Sequence, residues 1–379
     1  MNARVVVLGV VGVVALAAAL GASWLLSLPA GTAKGRGAPL AQSERDSMLA
    51  QLKPPKRTRP VIAIIGVNEG TEVTDYLMPH GILSRADVAD VLAVATRPGV
   101  VKLFPALQVE AQSTIDGFDA KYPEGADYVI VPAMHRDDDP LALQWIKSQA
   151  GKGAIVIGVC VGVKVVAETG LLDGKRATTH WFYVDKMLER HPTIQYVPDR
   201  RIVVDQRVVT TTGISASMPM SLLLVEAIAG HEKAADVARQ LGLAHWGAEH
   251  DSAAFKFTRP FATTVLGNTA AFWRRERVGI DLQPDVDEVS LALVADMWSR
   301  TYRSSAKTFT ADGGPQRTRA GLRIIPDEMG LPARTSHLVL TIDNAPPASV
   351  FETTLRAIST RYGPRTADAV AMQLEYVSR

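Results

Sequence analysis

Short apolar runs alternate with helix-length stretches through the middle of the chain, over residues 61–241. Apolar runs of this length, bounded by glycine and polar clusters, are typical of strands buried on both faces of a parallel sheet. We therefore predict an α/β fold, a flavodoxin-like sandwich whose mostly parallel sheet is covered by helices. The predicted strands are 61–67, 90–95, 100–104, 107–112, 127–131, 154–159, 202–205 and 207–211, and the predicted helices are 140–150, 216–229 and 232–241.

The sharpest break in this pattern is Gly158-Val159-Cys160-Val161-Gly162, which contains the only cysteine of the chain. A strand, a nucleophile and a helix in this order, with a glycine two residues to either side, are typical of a nucleophile elbow. Such a turn places the sulfur at a helix N-terminus, so we expect Cys160 to have a pKa below the free value of about 8.5. The alternative is a buried cysteine that acts as a small apolar residue.

Three motifs that follow the elbow favour the nucleophile elbow over a buried structural cysteine. They are Ala-Glu-Thr-Gly-Leu-Leu-Asp-Gly at 167–174, Ala-Thr-Thr-His-Trp at 177–181 and Thr-Gly-Ile-Ser-Ala at 212–216. With the elbow, they resemble the ThiJ/PfpI superfamily, within the class I glutamine-amidotransferase-like fold. The resemblance extends over residues 61–243, and it looks closest to isocyanide-hydratase-like enzymes and to the sensor domains of AraC-type regulators.

The resemblance implies a catalytic set of Cys160, Asp75 and His180. Asp75 stands in Asp-Tyr-Leu-Met-Pro, which is similar to the Asp-x-x-Gly-Pro element whose carboxyl faces the cysteine in the hydratase and regulator branches, with methionine here in place of glycine. Glu72 is the alternative acid, since other branches use a glutamate in this loop. Without the resemblance, His180 is about as well explained by hydrogen bonds that hold its loop as by proton transfer.

The expected oxyanion hole, where backbone amides would stabilise negative charge that develops on a substrate, departs from the family pattern. Family enzymes carry Pro-Gly-Gly where this chain has Pro-Ala-Met at 132–134, and neither alanine nor methionine adopts positive φ easily. The three aspartates 137–139 precede a proline and read as a helix-capping loop, so we predict neither a metal nor a cofactor. The predicted substrate-binding residues are Ala133, Met134, Val161, Gly162 and Trp181.

The N-terminal segment differs from the rest of the chain in its uncharged, apolar composition. Residues 5–28 carry no charge, a length that can cross the hydrocarbon core of a membrane as a helix. We predict a single-pass anchor over residues 1–30, in a bacterial inner membrane, followed by a linker over 31–60. A cleaved signal peptide is the alternative, with Gly-Thr-Ala at 31–33 as the site. The side of the membrane that holds the folded part is left open.

Residues 244–379 are predicted to form a smaller α/β segment, either a degenerate repeat of the first domain or an unrelated appendage. Residues 289–294 alternate like a strand that would correspond to 61–67. Strands at 307–311, 316–319, 322–326 and 337–342 and a helix at 349–361 would follow. The segment has no cysteine, and it has no pair of helix-turn-helix units of the kind that AraC-type regulators place there.

Composition adds little beyond these motifs. The net charge of +2, with 21% charged residues, gives no electrostatic case for nucleic acid. Two classes of function remain. The first is a membrane-anchored cysteine enzyme that acts, without a cofactor, on a small electrophile in the manner of a hydratase or a glyoxalase. The second is a non-catalytic domain that binds or senses a small molecule. A homodimer is an open prediction in either case.

Overall fold

The computed structural model describes residues 3–32, 37–330 and 338–377. The helices are α1 (Ala3–Ser27), α2 (Gln42–Gln51), α3 (Val73–Ala86), α4 (Ile115–Lys121), α5 (Pro140–Gly151), α6 (Gly162–Glu168), α7 (Val184–Arg190), α8 (Ser217–Ala229), α9 (His231–Leu241), α10 (Arg259–Ala270), α11 (Glu288–Ser299), α12 (Pro347–Tyr362) and α13 (Pro364–Leu374). The strands are β1 (Val61–Gly66), β2 (Glu69–Glu72), β3 (Asp90–Ala95), β4 (Val100–Phe104), β5 (Gln108–Glu110), β6 (Ser113–Thr114), β7 (Tyr128–Val131), β8 (Ile155–Gly158), β9 (Arg176–Ala177), β10 (Gln195–Tyr196), β11 (Ile202–Asp205), β12 (Val208–Thr211), β13 (Glu276–Asp281), β14 (Ser304–Thr310), β15 (Gln316–Arg317), β16 (Arg323–Ile325), β17 (Glu328–Met329) and β18 (Leu338–Thr341).

The main sheet has the order β11-β12-β8-β7-β1-β3-β6. Its neighbours pair in parallel except for the antiparallel β11–β12 hairpin. Strands β1, β7 and β8 are buried at every position, as expected for strands covered on both faces. The structure thus confirms the predicted α/β class and its mostly parallel sheet.

A second sheet, β17-β14-β13-β18, is parallel throughout. Its central strand β13 lies between β14 and β18, just as β1 lies between β3 and β7 in the main sheet. The helix that follows each central strand, α3 or α11, packs against its counterpart. Gly81 permits this contact, since a Cβ atom there would lie 2.8 Å from the Glu288 side chain.

A third sheet joins the two regions. Its order is β15-β16-β5-β4-β2, and the β4–β5 hairpin of the first region pairs with the β15–β16 hairpin of the second through antiparallel β5 and β16. Val109 faces Ile324 at the centre of this pairing, and both side chains are fully buried. One apolar core runs from the main sheet through α3 and α11 to the second sheet.

Two local predictions are wrong. Residues 289–294, predicted as a strand, lie in α11, which begins where the Asp287 side chain accepts hydrogen bonds from the amides of Val289 and Ser290 at 3.0 and 3.2 Å. A helix buried all round shows no amphipathic period, so a short window of it can look like a strand. In addition, Asp75, which we expected in a loop, lies in the first turn of α3.

Part of the predicted linker is folded. Helix α2 lies within residues 31–60, and Met48 and Leu52 belong to the apolar core. The Tyr128 hydroxyl donates to the Leu52 carbonyl at 2.6 Å, which holds the end of this helix against the main sheet.

The predicted membrane anchor is corrected by the structure. No helix within the described ranges has both the length and the apolar character that crossing a bilayer requires. The end of α1 instead packs on α10. The Arg259 guanidinium donates to the carbonyls of Leu25 and Leu28 at 3.1 and 3.3 Å, and the Trp24 and Phe257 rings lie 6.0 Å apart. The predicted inner-membrane localisation is therefore wrong.

Candidate active site around Cys160

The elbow has the tight geometry that its glycines require. Cys160 follows β8 with a φ of +55°, a left-handed conformation that is costly for a residue with a side chain and that occurs at nucleophile elbows. A Cβ atom at Gly162 would lie 2.1 Å from the Val131 carbonyl oxygen, and one at Gly158 would lie 3.1 Å from the Val163 Cα. Position 162 therefore admits only glycine.

The thiol itself is buried, with Cys160 only 4% exposed. Its amide donates to Thr211 Oγ1 at 3.1 Å, and its carbonyl accepts from Thr179 Oγ1 at 3.0 Å. Burial raises the pKa of Cys160 well above its ordinary value, and the carboxyl groups of Asp75 and Glu72 raise it further, whereas Arg300 and the Val161 amide lower it. The expected lowering of this pKa is therefore wrong, because desolvation outweighs the favourable position in the turn.

Asp75 lies in the first turn of α3, fully buried. Its Oδ2 accepts from the Ala133 amide at 3.1 Å, while Oδ1 has no hydrogen-bond partner. Burial raises the pKa of Asp75 well above 3.8, and the charge of Glu72 adds to this effect. A raised pKa keeps a carboxyl protonated to higher pH, and a protonated carboxyl can donate a hydrogen bond. In its ionised form, Asp75 has the largest electrostatic effect of any side chain on the pKa of Cys160, so the two residues lie near each other, although no hydrogen bond joins them.

Glu72, the alternative acid, has a full set of partners. Its Oε2 caps α3 by accepting from the Asp75 amide and from Thr74 Oγ1, each at 2.7 Å. Its Oε1 accepts from Arg300 Nη2 at 2.9 Å. Both oxygens of Glu72 are hydrogen-bonded, whereas Oδ1 of Asp75 is not, so the two acids have different environments although only two residues separate them.

Arg300 and Asp296 were missed by sequence reasoning. Asp296 lies in α11 and Arg300 is the C-cap of that helix, and Arg300 Nε donates to both Asp296 carboxylate oxygens at 2.7 and 2.8 Å. The guanidinium also lies 5.9 Å from the centre of the Phe104 ring. Burial raises the pKa of Asp296 to about 7, although Arg300 opposes this. The one signal in the sequence was the spacing of Asp296 and Arg300, which are opposite charges four residues apart and typical of a helix. The prediction of a strand at 289–294 concealed this signal.

His180 faces the C-terminal helix. Its Nδ1 accepts from the Phe182 amide at 3.2 Å, so Nε2 carries the proton and donates to the Gln373 carbonyl at 3.0 Å. Burial lowers the pKa of His180, which favours this neutral form. Because neither ring nitrogen bonds to Cys160, proton transfer by His180 stays a prediction, and its contacts are those of a residue that holds a loop.

The predicted substrate-binding residues are arranged as follows. The Ala133 amide is taken by Asp75, and its carbonyl accepts from the Glu72 amide at 2.8 Å. Met134 is buried and pairs with Thr71. The Val161 amide points to the sulfur. Trp181 lies next to His180 and donates through Nε1 to the Met372 carbonyl at 2.8 Å. The Ala133 amide, which we expected to bind a substrate oxygen, is thus already bonded to Asp75.

The capping role of the aspartate run is confirmed at Asp139, which begins α5.

These features define a mostly parallel α/β domain with a strained cysteine elbow and, near it, a buried carboxyl whose pKa is raised. Residues 61–227 match the DJ-1/PfpI family, and the chain carries a domain of that family. The resemblance inferred from the motifs is thereby confirmed.

Several relatives share part of this domain. An isonitrile hydratase from Pseudomonas putida is 39% identical over 105 residues, which cover 27% of this chain and 44% of that protein. The HTH-type transcriptional regulator CdhR from Pseudomonas aeruginosa is 34% identical over 104 residues, 27% of this chain and 31% of the regulator. A glutathione-independent glyoxalase, DJR-1.2 of Caenorhabditis elegans, is 30% identical over 122 residues, 31% of this chain and 63% of that protein. The chain therefore spans less than half the length of the first two relatives.

Among solved structures, DJ-1beta of Drosophila melanogaster aligns over 49% of this chain and 100% of its own, with a TM-score of 0.44 and 22% identity. The relation of this chain to hydratases and glyoxalases is distant.

Proposed function

We propose that this protein is a DJ-1/PfpI-type cysteine enzyme that acts without a cofactor on a small electrophile, either adding water to it or rearranging it. Cys160 is the nucleophile and Asp75 the acid. The observation that carries this proposal is a strained elbow cysteine that interacts electrostatically with a buried carboxyl whose Oδ1 has no hydrogen-bond partner. The domain would use the flavodoxin-like sandwich to present both at one edge of the sheet.

An isocyanide illustrates the chemistry that two neutral groups can perform. As the sulfur bonds to the terminal carbon, Asp75 gives its proton to that carbon and receives the thiol proton, which leaves a thioimidate and a neutral Asp75. Water then adds to the thioimidate carbon and the C–S bond breaks, so the net products are a formamide and the free thiol. Because Asp75 is protonated at the start, a raised thiol pKa is compatible with this route.

The second candidate is a binding or sensing domain without turnover. Three observations favour it: the raised pKa of Cys160, the bonded Ala133 amide and the buried Met134 side chain. The predicted partners, namely a small-molecule ligand and a second copy of the chain, remain proposals, as does the lack of a nucleic-acid partner.

Turnover separates the two candidates. The full chain would be incubated with a small alkyl isocyanide or a small 1,2-dicarbonyl, and the formamide or hydroxy acid would be followed by NMR. We expect product from the unchanged chain, none from Cys160→Ser, and at least a hundredfold loss in Asp75→Ala, the scale usual for a general acid. Folded protein that yields no product from either substrate would leave the binding function as the better description.

A further inference from the structure

A single arginine of the second region contacts one of the two acids beside the thiol. Arg300 follows α11 and bonds Glu72 at 2.9 Å, while its Nε holds Asp296 of its own helix. All three side chains are buried or nearly so, with exposed side-chain fractions of 15% for Arg300, 7% for Glu72 and 0% for Asp296. An ion pair at this depth favours the charged forms of Arg300 and Glu72, since leaving either one unpaired is costly.

The contact depends on how the two regions pack. Helix α11 lies against α3, the helix that carries both Glu72 at its N-cap and Asp75 in its first turn. The C-terminal end of α11 therefore meets the N-terminal end of α3, where the acids are. Gln373 adds a second connection, since its Nε2 donates to the Arg300 carbonyl at 3.1 Å while its own carbonyl accepts from His180.

We propose that Arg300 is a positioning residue that keeps Glu72 as a carboxylate turned toward the second region, and thereby assigns to Asp75 the proton that faces Cys160. This inference rests on the proposed function, because it decides which acid serves the thiol. Two carboxyls at the start of α3 would otherwise compete for one proton, and their charges repel. The ion pair resolves the competition: Glu72 carries the charge, and burial and that charge disfavour ionisation of Asp75 more than the positive charge of Arg300 favours it.

Infrared spectroscopy of the full chain at neutral pH reads the protonated carboxyl directly. In the unchanged background, Asp75→Asn should remove a C=O stretching band of a buried carboxylic acid, whereas Glu72→Gln should not. In an Arg300→Met background, Glu72 loses its partner, so Glu72→Gln should now remove such a band. Arg300→Lys keeps the charge and should behave like the unchanged chain. Asp296→Asn identifies the band of Asp296, which has a pKa of about 7.

The rate of Cys160 alkylation by iodoacetamide is the second readout. The groups that act on the thiol are Asp75, Glu72, Arg300 and the Val161 amide. Arg300→Met should leave the rate of alkylation at pH 8 within about twofold, because Glu72 then takes up a proton and a neutral pair is lost beside the thiol. The Arg300→Met, Glu72→Gln double variant should react at the same rate, whereas a Glu72 that stayed ionised would slow the single variant by about tenfold. A merely structural role would loosen the site and speed alkylation. Arg277→Met, an exposed arginine on β13, is the matched control.

The proposal is overturned if Glu72→Gln removes the acid band with Arg300 present, or if Arg300→Met leaves Glu72 ionised. Neither measurement needs a substrate. A chain that shows the expected bands but no turnover would refute the proposed enzyme and leave the role of Arg300 intact. Turnover without the expected bands would support the proposed enzyme and refute the role of Arg300.

Discussion

The two α/β regions share a scaffold but differ at the point where the first has its nucleophile. In the first region β7 leads through α5 to β8 and then to Cys160. In the second, β18 occupies the position of β7 and is followed directly by α12 within the described residues 338–377. The second region therefore has the strands and the helix that pack against the first region, without the elbow. Whether it arose as a repeat stays a prediction.

This difference shows what the second region contributes. Its helix α11 supplies Arg300 and Asp296 to the acids of the first region, and residues of α13 bind His180 and Trp181. A region that cannot carry out the cysteine chemistry thus forms one wall of the site. Three sets of substitutions test how far the two regions differ in what they contribute.

The largest effect is expected at the elbow glycine. Gly162→Val should reduce the free energy of unfolding by more than about 4 kcal/mol, or prevent folding, because the new Cβ would overlap the Val131 carbonyl at 2.1 Å. Urea unfolding followed by circular dichroism measures this. The matched control is Gly267→Ala in α10, where a Cβ meets nothing within 4 Å and alanine should stabilise the helix by about 1 kcal/mol. Equal stability of the two variants would mean that the elbow is not tight.

The fold of the first region could largely be predicted, since its strands are apolar runs with clear boundaries. Helix α3 was missed because Pro79 and Gly81 interrupt its pattern, and α11 was misread because a helix buried on all sides has no period. Cys160 and Asp75 came from motifs. Arg300 depends on a contact 228 residues away in sequence, which no local pattern contains.

The direction of the thiol pKa was also beyond local reasoning. The position of Cys160 in the elbow predicted a lowered value, but the burial and the two nearby carboxyl groups come from tertiary packing. The same packing sets the charge of Asp75, which leads to a measurable dependence of stability on pH.

An intermediate effect is expected from Asp75→Asn. The pKa of Asp75 in the folded state is raised above 3.8, so the stabilisation is fully present below that value and is lost as pH rises through the folded pKa. The asparagine variant lacks this loss and should therefore gain stability relative to the unchanged chain as pH increases above about 4. Urea unfolding at a series of pH values reads the difference, with Asp138→Asn as an exposed control. Parallel curves would show that Asp75 ionises as freely in the folded state as in the unfolded state.

The smallest effect is expected where the two regions meet at the surface. Arg323 on β16 and Glu110 on β5 are directly opposite in the third sheet, with Nη1 and Oε2 3.0 Å apart and side chains 53% and 40% exposed. Because solvent screens such a pair, a double-mutant cycle with Arg323→Met and Glu110→Gln should give a coupling of about 0.2–1 kcal/mol, which weakens as salt is added. The paired apolar residues Val109 and Ile324 beside it are fully buried, so the attachment of the second region should depend on them far more than on this ion pair. A coupling well above 1 kcal/mol that persists in high salt would instead assign the joining of the two regions to charge.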